Sequence, residues 1–188
     1  MIPNVLHSLA ANALALAATS LWAEAHATSP LPPGSDVAGQ TIAEWSANWW
    51  QWAVSFDTTM DNPFSDTTGA HAGLGQAGPV FFLAGTTGAT ATRSFPVPAN
   101  RPLLVPLLVA EIAERELDPD PAPPNPTPAE IRTEVNNLAD LIDELHATIN
   151  GAAVPDLFSH REESPDFSMN AAPNNIVGLP EGDSGVAV

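Results

Sequence analysis

Residues 41–56, TIAEWSANWWQWAVSF, decide the fold of this chain. Thr41 and Glu44 stand at capping-box spacing, where the Thr hydroxyl accepts from the Glu44 backbone N–H and the Glu44 side chain reaches back to the cap, so a helix is expected to start here. Ile42, Trp45, Trp49, Trp52 and Phe56 recur every three or four residues and fall on one face, opposite Glu44, Asn48, Gln51 and Ser55. Burying indole rings dominates the energetics of any core that contains them, so Trp45, Trp49 and Trp52 are expected to be core. Trp50 falls on the flank of the stripe and is expected as an exposed aromatic platform.

Immediately downstream, residues 57–78 (DTTMDNPFSDTTGAHAGLGQAG) have no period and are rich in Asp, Thr and Gly. They are expected to form a long ordered loop. The apolar run PVFFLA at 79–84 reads as a buried strand, with residues 89–97 returning beside it through a turn at 85–88. Residues 102–110 (PLLVPLLVA) are another strand candidate, at an edge or bulge because Pro106 cannot donate to a ladder. A stiff Pro-rich insertion occupies 118–128. Thr127, Pro128 and Glu130 then open a second helix with a capping box and Pro at its first position. Its expected buried stripe is Ile131, Val135, Leu138, Ile142, Leu145 and Ile149, ended by Asn150-Gly151. Short strand-like pieces follow at 154–161, 167–170 and 174–178, and residues 179–188 are expected to be a tail.

Upstream, LAANALALAATSLWA at residues 9–23 is apolar but shorter than the roughly 20 residues of a spanning helix, and small-x-small sites follow at 23–25 and 25–27. This is the organisation of a signal peptide over residues 1–27, although no Lys or Arg precedes the apolar run. Residues 28–39 read as a Pro/Gly linker, which places a single domain at 40–178. No stable membrane span is expected. The implied location is secreted or periplasmic.

The chain carries 22 acidic residues against five basic ones over 188 residues, a net charge of −17, and every basic residue is an arginine. Nucleic acid, whose binding needs clustered Lys and Arg, is therefore an unsuitable partner, and so is an anionic lipid surface. Cysteine is absent, which removes disulfides, thiolate metal sites and Cys nucleophiles. With 44% hydrophobic residues a packed core is within reach.

The strings EWSANWWQW (44–52), NPFSDTTGAHAGLGQAGPVFFLAG (62–85), RSFPVPANRPLLVPLLVAE (93–111), VPDLFSHREESPDFSM (154–169) and NNIVG (174–178) together resemble a family of secreted bacterial proteins with no established activity. The resemblance covers residues 39–178 and implies an exported α+β domain. It also implies three departures. Family members have Cys where this chain has Ala72 and Phe95, so an apolar contact is expected in place of a cystine. They have Asn at the position of Val109. They continue beyond the position of Val188 into further strands, so a sheet edge is expected to be open here.

Candidate functional residues concentrate in the loop. Asp57, Asp61, Asn62 and Asp66 supply the oxygen ligands that calcium takes, though not at EF-hand spacing, and no other cofactor is suggested. Trp50, Asp61, Asp66, His71 and Gln76 form the candidate ligand-binding set, with His71 as the acid–base group. His146 and His160 have no ligand partner at a metal-binding spacing. Gly182-Asp183-Ser184-Gly185 spells a serine-protease string, but no upstream histidine motif accompanies it. The expected fold is α+β, an antiparallel sheet or β-sandwich with two packed helices. The expected function is a non-catalytic binding or structural module at the cell surface or in the periplasm, taking a glycan or a surface protein. The alternative is a secreted hydrolase with its site at 57–76.

Overall fold

The computed structural model describes residues 29–86, 90–114 and 125–179 and the backbone of residues 184–187. The expected signal peptide, most of the Pro-rich insertion and part of the last ten residues lie outside them.

Strands β1 (Asp36–Val37) and β2 (Gln40–Thr41) form an antiparallel hairpin that leads directly into helix α1 (Ile42–Val54). The stretch expected as a linker thus ends inside the domain. Thr41 Oγ1 accepts from the Glu44 amide at 3.2 Å, and the Thr41 amide donates to Glu44 Oε2 at 2.8 Å, completing the capping box. Trp45, Trp49 and Trp52 are buried as their spacing requires. Each also spends its indole N–H on a backbone carbonyl: Trp45 on Val37 (2.8 Å), Trp49 on Leu83 (3.0 Å) and Trp52 on Leu74 (3.2 Å). A buried indole needs such a partner, and these three fix the helix to β1, to the end of the next strand and to the loop. Trp50 is not an exposed platform. It is only 4% exposed and meets Trp49 edge-on at 5.1 Å, because Ala47, Ala53 and Val54 widen the buried face beyond the single stripe.

Strand β3 (Phe81–Phe82) is buried as expected, but its neighbour is β4 (Leu103–Leu104), in parallel, rather than residues 89–97. Pro96 and Pro98 supply no N–H to a ladder, and the chain around Arg93 is drawn onto the loop instead: the Ser94 amide donates to the Thr68 carbonyl at 3.0 Å. The other side of β3 is closed by a side chain. Gln76 accepts from the Phe82 amide at 2.9 Å and donates to the Phe82 carbonyl at 2.7 Å, standing in for a neighbouring strand.

Strand β5 (Glu111–Ala113), β8 (Phe167–Ser168) and β9 (Ser184–Ala187) make a three-stranded antiparallel sheet in the order β5-β9-β8. The segment expected as a tail therefore contributes the central strand. Successive residues of β5 face opposite sides. Ala113 joins the tryptophan core, whereas Ile112 packs on Ile131 and Val135 of helix α2 (Pro128–Ala139). The sheet thus has α1's core on one face and α2 on the other, a mixed α+β arrangement of two helices and several small sheets. Among the described residues no sandwich forms, since helices take the positions a second sheet would occupy.

Helix α2 begins with the expected capping box but stops at Ala139, ten residues before Ile149. Asp140, Asp143 and Glu144 place negative charge at the negative end of the helix dipole, and no basic residue stands in the last turn to offset it. Leu138 and Leu141 are accordingly exposed. Asn150-Gly151, with φ of 53° and 81°, is the turn of a hairpin between β6 (Thr148–Ile149) and β7 (Ala152–Ala153), not a helix cap. Residues 157–160 form a 3-10 turn where a strand was expected, and 174–178 form turns. Arg132 pairs with Glu163 and Asp166, and Arg161 pairs with Asp140, which ties α2 to residues 161–166. Burial pushes the Glu163 carboxyl up, but hydrogen bonds from Asn136 and Arg132 and the charges of Arg132 and Arg161 outweigh it and hold its pKa below the ordinary value.

Candidate functional site

Residues 57–78 form an ordered, ladder-free loop, and its order comes from side chains that bind their own backbone. Asn62, which is buried, turns Oδ1 to the amides of Phe64 and Ser65, each at 3.0 Å, and donates to the Met60 carbonyl at 2.9 Å. Asp66, also buried, accepts at Oδ1 from the Thr68 amide and hydroxyl, both at 2.8 Å, and from the Gly69 amide at 3.0 Å. Its Oδ2 takes the His71 amide at 2.8 Å. The His71 N–H foremost, then those of Thr68 and Gly69 with the Thr68 hydroxyl, overcome desolvation and hold the Asp66 carboxyl well below the usual carboxylate range. Asp57 accepts from the amide and hydroxyl of Thr59, and these bonds lower its pKa as well.

This distribution disassembles the expected calcium set. Asn62 and Asp66 direct their oxygens at backbone N–H groups, Asp57 caps its own turn, and Asp61 projects into solvent. Among the described residues no group of three or more His, Cys, Asp or Glu side chains gathers as metal ligands. The ligand-binding set divides in the same way. Trp50 is core, Asp66 organises the loop and the half-buried Gln76 closes the edge of β3.

Asp61 and His71 remain. The His71 Nε2 lies 3.7 Å from Asp61 Oδ2, with side chains 35% and 85% exposed. The pair connects two turns of the loop, and the backbone of His71 is pinned by Asp66 beneath it. Beside it in sequence stand two exposed apolar side chains, Met60 and Leu74. His146 pairs only with the neighbouring Glu144, in an exposed position.

Sequence reasoning passed over Arg93, the organiser of the other side of the loop. Its guanidinium donates to the carbonyls of Asp66 and Ala84, each at 2.6 Å, of Gly85 at 3.2 Å and of Phe64 at 3.4 Å. The one signal available was its rarity among so few basic residues. Phe95, two residues on, stacks on Phe81 at 6.0 Å, and its ring covers Gly69, whose carbonyl accepts from the Ala72 amide at 3.2 Å. Ala72 is buried, so both positions where the resemblance implies Cys belong to the packing around Gly69. Among the described residues no helix is long and apolar enough to cross a membrane. Comparison with protein-family models, with curated proteins and with solved structures finds no match to this chain.

Proposed function

We propose that the chain is an exported, non-catalytic binding module whose recognition face is the loop surface around Asp61 and His71. One observation carries the reading: the buried polar side chains of the loop are consumed in holding its backbone, while the His71–Asp61 pair is held at the surface with Met60 and Leu74 close in sequence. A rigid loop that presents a few polar and apolar groups loses little entropy on binding, which suits recognition of a glycan or a surface protein. Calcium has no part in this reading, because the oxygens of Asn62 and Asp66 are already committed. The leader-like residues 1–27 and the resemblance to secreted bacterial proteins over residues 39–178 support export. Intact-mass analysis of exported protein is expected to begin at His26 or Thr28, and recovery of the uncleaved chain solely inside the cell would refute that part.

A glycan array and an extracellular-protein panel test the binding reading. Asp61→Ala and His71→Ala are expected to abolish the strongest signal without moving the melting temperature, whereas Asp66→Ala is expected to lower both. Retained binding in the first two variants would place the face elsewhere. The closeness of His71 to Asp61 also favours a second reading, a hydrolase in which His71 is the acid–base group. Turnover of chromogenic ester, glycoside or phosphate substrates that disappears in His71→Ala would select it over the first.

A further inference from the structure

The run from Arg101 to Glu111, RPLLVPLLVAE, has a symmetry that the loop site does not use. Read from Pro106 in either direction, aliphatic residues follow out to Leu103 and Val109, and the first charges met are Arg101 on one side and Glu111 on the other. The run is also strongly apolar at the surface: Leu103, Val105, Leu107, Leu108 and Val109 are 38 to 48% exposed. A contiguous apolar stretch of this kind marks an interaction surface.

The backbone states which edge is available. The amides of Phe81 and Leu83 donate to the carbonyls of Pro102 (2.8 Å) and Leu104 (3.0 Å), so the even-numbered residues direct their backbone groups at β3. Along an extended strand these groups alternate sides, so those of Leu103 point to the outer edge, and those of Val105 join them where the run continues extended. Both prolines, 102 and 106, carry even numbers. Their missing N–H groups therefore fall on the β3 side and leave no gap on the outer edge. Among the described residues no strand pairs with that edge of β4, in contrast to β3, which Gln76 closes.

We propose that this edge pairs with the same edge of a second copy of the chain, antiparallel, with Pro106 on the two-fold axis. In that register Val105 faces the partner's Leu107 and Leu103 faces the partner's Val109, each a hydrogen-bonded pair. Pro106 meets itself at a non-hydrogen-bonded position where no N–H is needed. Arg101 and the partner's Glu111 mark the two ends of the register, but the Arg101 guanidinium stays on the carbonyls of Ala77 and Val80 and over the Phe81 ring, so the pairing rests on the uncharged centre between them. The run bends at residues 107–108 in the single chain and extends on pairing. Because each copy carries −17, the dimer forms at physiological salt and weakens as salt is removed and the screening length grows.

The absence of cysteine makes the register directly testable, since any cystine formed comes from an introduced residue. In the full-length chain, Pro106→Cys is expected to oxidise to a symmetric dimer at least tenfold faster than Met60→Cys, an exposed control. Val105→Cys and Leu107→Cys are expected to cross-link with each other when mixed and to be slow alone, which keeps the test valid if loss of Pro106 disturbs the strand. Val105→Asp is expected to leave the chain monomeric in sedimentation at concentrations on the order of 100 μM. Rates indistinguishable from the Met60→Cys control in both experiments, or equal rates at every position, would overturn the proposal.

Discussion

Gly69 offers the sharpest test of how the loop is held. Its φ of +97° lies in a region that side chains rarely adopt, and a Cβ built there would stand 2.8 Å from the Ser94 carbonyl oxygen, 2.9 Å from Phe95 Cδ1 and 3.0 Å from the Ser94 amide nitrogen. Two of these three neighbours are backbone, which cannot swing aside as a flexible side chain can. The backbone conformation alone costs about 1 to 2 kcal/mol for a residue with a Cβ. Forcing the 94–95 segment away adds about 1 to 3 kcal/mol of overpacking. Gly69→Ala is thus expected to lose about 2 to 5 kcal/mol. Gly78→Ala supplies the reference, because Gly78 also has a positive φ, +79°, but nothing within 4 Å of its would-be Cβ. It should lose only the backbone part, about 1 to 2 kcal/mol. Urea unfolding followed by tryptophan fluorescence reads the difference well, since the four α1 indoles are buried in the core beside the loop. With a denaturant slope of about 2 kcal/mol per M, the midpoint of Gly69→Ala should fall by about 1 to 2.5 M and that of Gly78→Ala by about 0.5 to 1 M. Equal shifts in the two variants would refute the close approach of residues 94–95 to the loop.

Other perturbations follow from the same geometry. Arg93→Lys keeps the charge but cannot reach the carbonyls of Phe64, Asp66, Ala84 and Gly85 together, and a loss of about 2 kcal/mol is expected in the same unfolding measurement. Ala38 holds a φ of 54° in the β1–β2 turn, so Ala38→Gly should raise the melting temperature, with a gain of about 1 kcal/mol. Asp57, Asp66 and Glu163 all have folded pKa values below their unfolded ones. Their stabilisation is therefore complete above the unfolded values, 3.8 for Asp and 4.5 for Glu, and is lost as pH falls through the lowered folded values. Urea midpoints between pH 7 and pH 2 should decline below about pH 4.5, and Asp66→Asn should flatten that decline while lowering the plateau. An unchanged acid slope in Asp66→Asn would count against its carboxylate as the anchor of the loop.

What the sequence by itself determined is local. The capping boxes at Thr41 and Thr127 specify two helix starts, because the partners lie three residues apart and need no other segment. The three-and-four spacing of Trp45, Trp49 and Trp52 specifies a buried face, and the aperiodic, Asp- and Gly-rich stretch after it specifies an ordered loop. Tertiary structure decided the rest, since each remaining outcome depends on a partner distant in sequence. Trp50 is core because the helix is covered on more than its main stripe, which the periodicity of a single element does not report. Asn150-Gly151 suits both a helix end and a hairpin turn, and the exposed Leu141 with the acidic residues beyond Ala139 settled it as a hairpin. The parallel pairing of β3 with β4 and the central place of β9 arise from long-range ladders that leave no local pattern. Among the candidate site residues, a list of polar types could not separate Asp66 from Asp61. Both are carboxylates on one loop, and only the direction of the surrounding N–H groups makes the first a structural anchor and leaves the second at the surface.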